Sequence, residues 1–487
     1  MKRALQYTES RFSSERYAIL GFFFNARGSA LERTPLGLLR SLLHQLLRQD
    51  RSLLQEFLPK FREKRMAHGS GWEWHLKELQ DFFSFTVTRS NGHPIYLLID
   101  ALDECEESSV RQVVSFLTTS LDSAQSAGSR LSICLASRHY PNISVPKKLE
   151  IWLDGSNDND ISTCVRAKLP IESREQKELE KRVIEKASGV FLWVKIVVDM
   201  LVEAKDNGEP MIRMREILER CPPELDDLYK DMLGKLEDRH KPMTLKMMRW
   251  VLLAERPLTV TELRFALAFD TPVPYKSQRE WQASDDFVRD DEQMERLLCS
   301  GSRGLLEIVM RGEGEEIVQF IHESLRNLLE YQNGLQILDP SIDETAIGKG
   351  HDQLTKSCIN YISIEELLTQ PVLKLRELFQ RSDEAKWHAL LSIYPFLDYA
   401  LNSWPYHASI AESKDLAQTE LVERFRPMAH IWLLWKYFWI LQRPGRRWEG
   451  DHGPEAFLLH ISSEYNIRSC VEVILDSGVS VNTLGGF

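Results

Sequence analysis

The sequence lacks most of the features that assign a function class at once. Its 487 residues carry seven cysteines, Cys105, Cys134, Cys164, Cys221, Cys299, Cys358 and Cys470, all scattered singly. None sits in a CxxC pair or at metal-ligand spacing, which points to a reducing compartment and a cytoplasmic location. There is no excess of base. Lys and Arg number 61 against 72 Asp and Glu, giving a formal net charge of -11 and a pI near 5.7. That argues against a nucleic-acid partner held through phosphate contacts. The N-terminus, MKRALQYTESRFSSER, mixes Glu9 and Glu15 with its basic residues and shows no secretory signal. Long apolar runs are missing too. VFLWVKIVVDMLV (Val190 to Val202) is interrupted by Lys195 and Asp199, and IWLLWKYFWIL (Ile431 to Leu441) by Lys436. Both fall short of the ~20 apolar residues of a membrane span, so buried amphipathic helices are expected.

What is present begins with length: 487 residues exceed a single core, so a few domains are expected. Strand and helix alternate first. YAILGFFFN (Tyr17 to Asn25) reads as a buried strand. TPLGLLRSLLHQLLRQ follows as a helix, with Thr34 as cap, Pro35 at its first position, and Leu36, Leu39, Leu43, Leu46 and Leu47 on one face. A polar helix around Glu73 to Thr88, a strand ending at Asp100, the helix SSVRQVVSFLTTSLDSAQ and a third buried strand, LSICLAS (Leu131 to Ser137), complete the pattern. Such alternation predicts a parallel α/β sheet.

Beyond about residue 155 the strands give way to helices. LKMMRWVLLAERPLTVTELRFALAF (Leu245 to Phe269) reads as helix, turn, helix, capped by Thr259 or Thr261. GLLEIVM and EIVQFIHESLRNLLEY add a hairpin running into a helix, a winged-helix pattern, with a polar loop between Asp270 and Asp291. The segment FLLHISSEYNIRSCVEVILDSGVSVNTLGGF has the period of one ankyrin unit. One unit cannot bury its own face, so the chain is cut there or the unit packs on the helices before it. The expected architecture is α/β and then mostly α. It runs as a parallel-sheet core over 1–155, a helical domain over 156–235, a winged helix over 236–335, a helical region over 336–450 and a first ankyrin-like repeat over 455–487.

The chemistry concentrates in PIYLLIDALDECEE (Pro94 to Glu107), an apolar strand that ends in Asp100 and is followed by Asp103 and Glu104. Open α/β sheets bind ligands at the carboxyl ends of their strands. An Asp there can hold Mg²⁺, usually through water, and a second acid can polarise the attacking water. The same pattern also suits an acidic helix N-terminus, where carboxylates favour the dipole. LSICLASRH ends its strand with Ser137 and Arg138, and an Arg there can reach a γ-phosphate or simply lie on the surface.

YLLIDALDECEE, LSICLASRHYPNI, ASGVFLWVKIVV, CPPELDDLYKDML, LLAERPLTVTELRFAL and VQFIHESLRNLL occur in this order. Their order and spacing resemble the fungal NACHT-type signalling ATPases. These are P-loop NTPases of the STAND, NLR-like class with a nephrocystin-3-like N-terminal domain, and they often carry C-terminal ankyrin repeats. The resemblance covers nearly the whole chain. It implies a nucleotide switch using ATP or ADP and Mg²⁺, with protein partners at the repeat end, homo-oligomers on opening, and roles in nonself recognition or regulated cell death. It implies Asp100 as the Mg²⁺ aspartate, Asp103 and Glu104 as water-activating acids, Arg138 as sensor, and His322 in FIHES as the contact to the β-phosphate of ADP. Gly189 and Phe191 fall where relatives have a glycine and an adenine-stacking proline, and that proline is missing. So is the phosphate loop: GxxxxGK(S/T) occurs nowhere in the 487 residues. In the family that loop runs directly into a stretch like MKRALQY. A chain cut at both ends, poor at binding and hydrolysing nucleotide, is therefore expected. The competing reading is a non-enzymatic interaction scaffold. DNA binding through the winged helix is disfavoured, since TVTELRFALAF offers Arg264 as its one base.

Overall fold

A computed structural model describes residues 1–11, 17–25, 28, 30–68, 72–89, 94–105, 107–137, 158–169, 174–271, 275–311, 314–368, 384–426 and 454–480. The first unit holds α1 (Lys2–Arg11), β1 (Ala18–Phe23), α2 (Pro35–Gln49), α3 (Arg51–His68), α4 (Leu76–Thr88), β2 (Ile95–Asp100), α5 (Glu107–Ser126) and β3 (Leu131–Leu135). The strands form one parallel sheet in the order β1-β2-β3, with Phe23 beside Asp100 and Ile99 beside Leu135. Parallel neighbours require helical crossovers, and the intervening helices supply them.

Leu20, Phe22, Ile95, Leu97, Ile99 and Leu131 share one face of the sheet and pack with apolar residues of α2, α4 and α5. α2 starts as its sequence demands: Thr34 accepts from Gly37 N at 3.3 Å and Pro35 takes the first turn. Its buried stripe is Leu38, Leu39, Leu42, Leu43 and Leu46, whereas Leu36 and Leu47 are only half-buried. The expected stripe was thus rotated by part of a turn, because α2 is covered by β1, α3 and α4 at once. α4 is amphipathic rather than polar, burying Leu79, Phe82, Phe83 and Val87. α3 carries Pro59 within it and was not anticipated.

The opposite face is covered by α1 beside β1. A Cβ on Gly21 would lie 3.0 Å from Leu5 Cδ2, so the glycine permits this close approach. Nearer β3 that face is open, and Ser132 and Cys134 are exposed. LSICLAS is therefore buried on one face only, which corrects the expectation of a fully buried strand. The outer edge of β1 is capped by side chains: Gln45 bonds both Gly21 N and Gly21 O (3.0 and 2.8 Å), and Gln49 donates to Ile19 O at 3.1 Å.

The rest is mostly helical. α6 (Asp158–Lys168), α7 (Arg174–Ala187), α8 (Phe191–Asp206), α9 (Met211–Arg220) and α10 (Leu225–Gly234) come first. Then follow α11 (Lys241–Leu253), α12 (Val260–Phe269), α13 (Asp291–Ser302) and the antiparallel pair β4 (Leu306–Arg311) and β5 (Glu315–Phe320). α14 (Glu323–Tyr331), α15 (Ala346–Ile362), α16 (Glu384–Ile393), α17 (Leu397–Ser413), α18 (Glu420–Phe425), α19 (Pro454–Glu464) and α20 (Arg468–Asp476) end the chain. One continuous apolar cluster runs through these helices from Ile161 to Ile474.

Thr259, not Thr261, caps α12, in a reciprocal box with Glu262. The stretch from Asp270 to Asp291 is not all loop: Gln278–Gln282 is helical and buries Trp281. α19 and α20 pack on each other and on α18, so this pair rests on the preceding helices. Val190 to Val202 lies mostly within α8, with Lys195 and Asp199 outward in ion pairs to Glu307 and Lys168. Ile431 to Leu441 lies outside the described residues. Among the described residues no helix is long and apolar enough to cross a membrane. All seven cysteines are free.

Candidate functional site

β2 delivers Asp100 to the carboxyl edge of the sheet, and the chain is pinned there from both sides. Phe24 N donates to Asp100 O at 3.1 Å, Ala136 N to Ile99 O at 2.9 Å, and Leu102 N to Ala136 O at 3.0 Å. Asp100 Oδ1 accepts from Ala101 N at 3.1 Å. Ala101 then turns with φ 52° and ψ 46°, a left-handed conformation that costs a non-glycine residue about 1–2 kcal/mol. Strain of this kind collects at functional sites. No signal in the sequence announced it, since alanine has no preference for that region. A short 3₁₀ turn, Leu102–Glu104, follows; it buries Leu102 and leaves Asp103 and Glu104 half-buried beside Asp100 in sequence.

The N-terminal end of α1 meets the same edge, with the Met1 amino group 3.9 Å from Asp100 Oδ2. A helix N-terminus presents unpaired N–H groups and a positive dipole end, which favour anions. A strand-end carboxylate beside it suits Mg²⁺, which keeps several waters and takes one or two carboxylates next to substrate phosphates. Among the described residues no group of three His, Cys, Asp or Glu side chains converges as a metal cage.

The other anticipated residues are placed apart. Arg138 lies outside the described residues. His322 caps α14 directly after β5, its Nδ1 accepting from Ser324 N at 3.1 Å and lying 2.8 Å from Ser324 Oγ. Ser324 Oγ in turn is 3.0 Å from the hydroxyl of Tyr229 on α10. This histidine therefore has a structural task whatever else it does. Gly189 has a φ of +82°, and Phe191 opens α8 with 45% exposure. Arg264 is occupied: it donates to Val288 O and Arg289 O and lies 3.2 Å from Asp291.

An ion pair between Arg311 and Glu32 joins the first unit to the β4–β5 hairpin, and Lys195 on α8 lies 3.6 Å from Glu307 of the same hairpin. Gly28 and Arg33 line a small cleft with the α11–α12 turn, β5 and Arg326.

Two polar networks behind that turn were not foreseen. Arg256 pairs in two-pronged fashion with Glu262 (2.9 and 2.6 Å) and reaches Asp398 on α17 at 3.2 Å. Deeper, Glu255 N donates to the Tyr399 hydroxyl at 3.0 Å. The same hydroxyl lies 2.9 Å from His407 Nε2, and His407 Nδ1 lies 2.8 Å from His351 Nδ1, a contact in which one neutral imidazole donates and the other accepts. The network joins three elements, and the two imidazoles are of opposite tautomer at Nδ1.

Residues 3–138 match the family model described as Nephrocystin 3, N-terminal. The Vegetative incompatibility protein HET-E-1 of Podospora anserina is 25% identical over 335 residues, 64% of this chain and 22% of that protein. The Azaphilone pigments biosynthesis cluster protein L of Monascus ruber is 22% identical over 244 residues, 50% of this chain and 47% of that protein. This chain therefore spans less than half the length of either relative. A structure of the Aeropyrum pernix Orc1 protein in complex with DNA is 13% identical. It covers 69% of this chain and 82% of its own at a TM-score of 0.26, too low to carry an argument. The chain is thus similar to proteins of two fungi, and its opening unit to the nephrocystin 3 N-terminal family.

Proposed function

We propose that the chain is built as a NACHT-type signalling NTPase, a nucleotide-controlled switch serving NLR-like nonself recognition or the regulation of cell death. The observation that carries this reading is the edge at Asp100. There a buried parallel strand, a carboxylate, a strained backbone and a helix N-terminus converge. In this reading Asp100 holds Mg²⁺, Asp103 and Glu104 polarise the attacking water, and Arg138 and His322 contact the phosphates of ATP or ADP. α11, α12, α13 and the β4–β5 hairpin serve as a winged-helix lid, and the ion pairs Glu32–Arg311 and Lys195–Glu307 support its closed position. The α19–α20 pair serves as an ankyrin-like unit that meets protein partners, and opening leads to a homo-oligomer in the cytoplasm.

Nucleotide binding by these 487 residues is weak in this account. The charges of a triphosphate are normally met by a row of loop N–H groups and a lysine, and no GxxxxGK(S/T) is present. Arg138 and His322 supply two contacts, each worth about 1.5–3 kcal/mol when charge-assisted. Association costs at least ~4 kcal/mol, which leaves millimolar binding or weaker. The missing motif favours a second reading, an interaction scaffold that works through its helical region and ankyrin-like end. A graft separates the two. Placing a strand and a GxxxxGK(S/T) loop before α1 should raise Mg-ATP affinity to the micromolar range if the Asp100 edge is a nucleotide edge. A grafted chain that melts like the parent and still fails to bind would favour the scaffold.

A further inference from the structure

We propose that the α6–α9 helices hold a separate site for a small neutral guest with an apolar body and one hydroxyl donor, of the phenol class. A cavity of about 150 Å³ lies between α6, α7, the end of α8 and the start of α9. Its apolar lining comes from Val165, Leu179, Val183, Met211 and Met214. That volume holds one benzene-sized molecule. Met211 and Met214 are unbranched and adapt to the shape of a guest.

One buried polar group reaches this lining; Gln176 is half-buried, and Lys205 and Glu209 are exposed at the rim. Glu180 is 6% exposed, and its carboxylate takes Ser162 Oγ at 2.7 Å and Arg166 Nε at 2.8 Å. Both contacts fall on Oε1, so Oε2 is the oxygen left for a guest. Arg166 balances the charge of Glu180, and Lys205 and Glu209 both stand at the rim, so the lining carries no net charge. A charged guest would be left uncompensated there. A neutral O–H donor brings no charge and satisfies the acceptor, which separates phenol from benzene.

The test is a titration of phenol and of benzene into the full chain, read at the Met211 and Met214 methyl resonances. Phenol should shift both saturably, with a dissociation constant on the order of 0.1–1 mM and several-fold tighter than benzene. Glu180→Leu should erase phenol's advantage and leave benzene bound. Val183→Phe should abolish both, and Met211→Trp, at the half-buried rim, should do the same should the first variant fail to fold. Absence of a saturable shift, equal affinity for phenol and benzene, or unchanged binding in a folded cavity-filling variant would each overturn the site.

Discussion

His407→Ala lowers the unfolding free energy by about 4 kcal/mol, read as a drop in the urea midpoint at constant slope. The imidazole is fully buried, and its loss leaves the hydroxyl of Tyr399 (0% exposed) with Glu255 N alone and takes the Nδ1 partner from His351 (4% exposed) while opening a void. The same network makes stability fall with acid. Burial holds His351 down to about 4, and burial together with the neighbouring His351 holds His407 well below the usual imidazole range. The folded chain therefore binds fewer protons than the unfolded one, whose imidazoles titrate near about 6.5. The stabilisation is complete above that pH and drains as the pH falls from about 6.5 towards about 4. For His351 alone this amounts to on the order of 3 kcal/mol. Burial raises the Asp398 carboxyl, so Asp398 works in the opposite sense. The informative quantity is the difference between profiles: His407→Ala should lose much less stability between neutral pH and pH about 4 than the parent does. Parallel profiles would mean that the two imidazoles are not neutral in the fold.

Glu262→Ala should cost about 3 kcal/mol. One carboxylate, 7% exposed, accepts from both Arg256 nitrogens and from Thr259 N. Its removal breaks one of the two bonds of the capping box, that from Thr259 N, while the Thr259 hydroxyl keeps the backbone N of residue 262, and it leaves Arg256 with Asp398. Because the Arg256 side chain is 38% exposed, solvent screens part of the lost attraction and keeps the cost below that of a fully buried pair. Glu262→Gln retains an acceptor for the cap and should cost about half as much. If Glu262→Ala stays within about 0.5 kcal/mol of the parent, the turn between α11 and α12 is held by apolar packing alone.

How much of this could be read from sequence depends on how local each feature is. α2 was legible because Thr34, Pro35 and the leucine period are neighbours in the chain. The α12 cap was narrowed to Thr259 or Thr261, and the reciprocal bonds with Glu262, three residues on, select Thr259. β2 was legible because an apolar run that stops at an acid marks a buried strand and its mouth. The misses are tertiary. Whether β3 is buried on one face or two depends on where α1 lies, not on Leu131 to Ser137. α3 contains Pro59, which argues locally against a helix until its neighbours are known. His351 and His407 stand 56 positions apart, and nothing near either one marks its partner. Asp100, Asp103 and Glu104 were singled out by pattern as candidates. The left-handed turn at Ala101, between the first and the other two, was not expected, since alanine carries no preference for it.

The central claim is that the Asp100 edge keeps the geometry of a nucleotide site and that these 487 residues lack the anion cradle to use it. Calorimetric titration of Mg-ATP into the purified chain tests this most directly. The account predicts a dissociation constant in the millimolar range or no measurable heat, with Asp100→Ala indistinguishable from the parent. A micromolar constant that is lost on Asp100→Ala would contradict it and would place a phosphate cradle elsewhere in the chain.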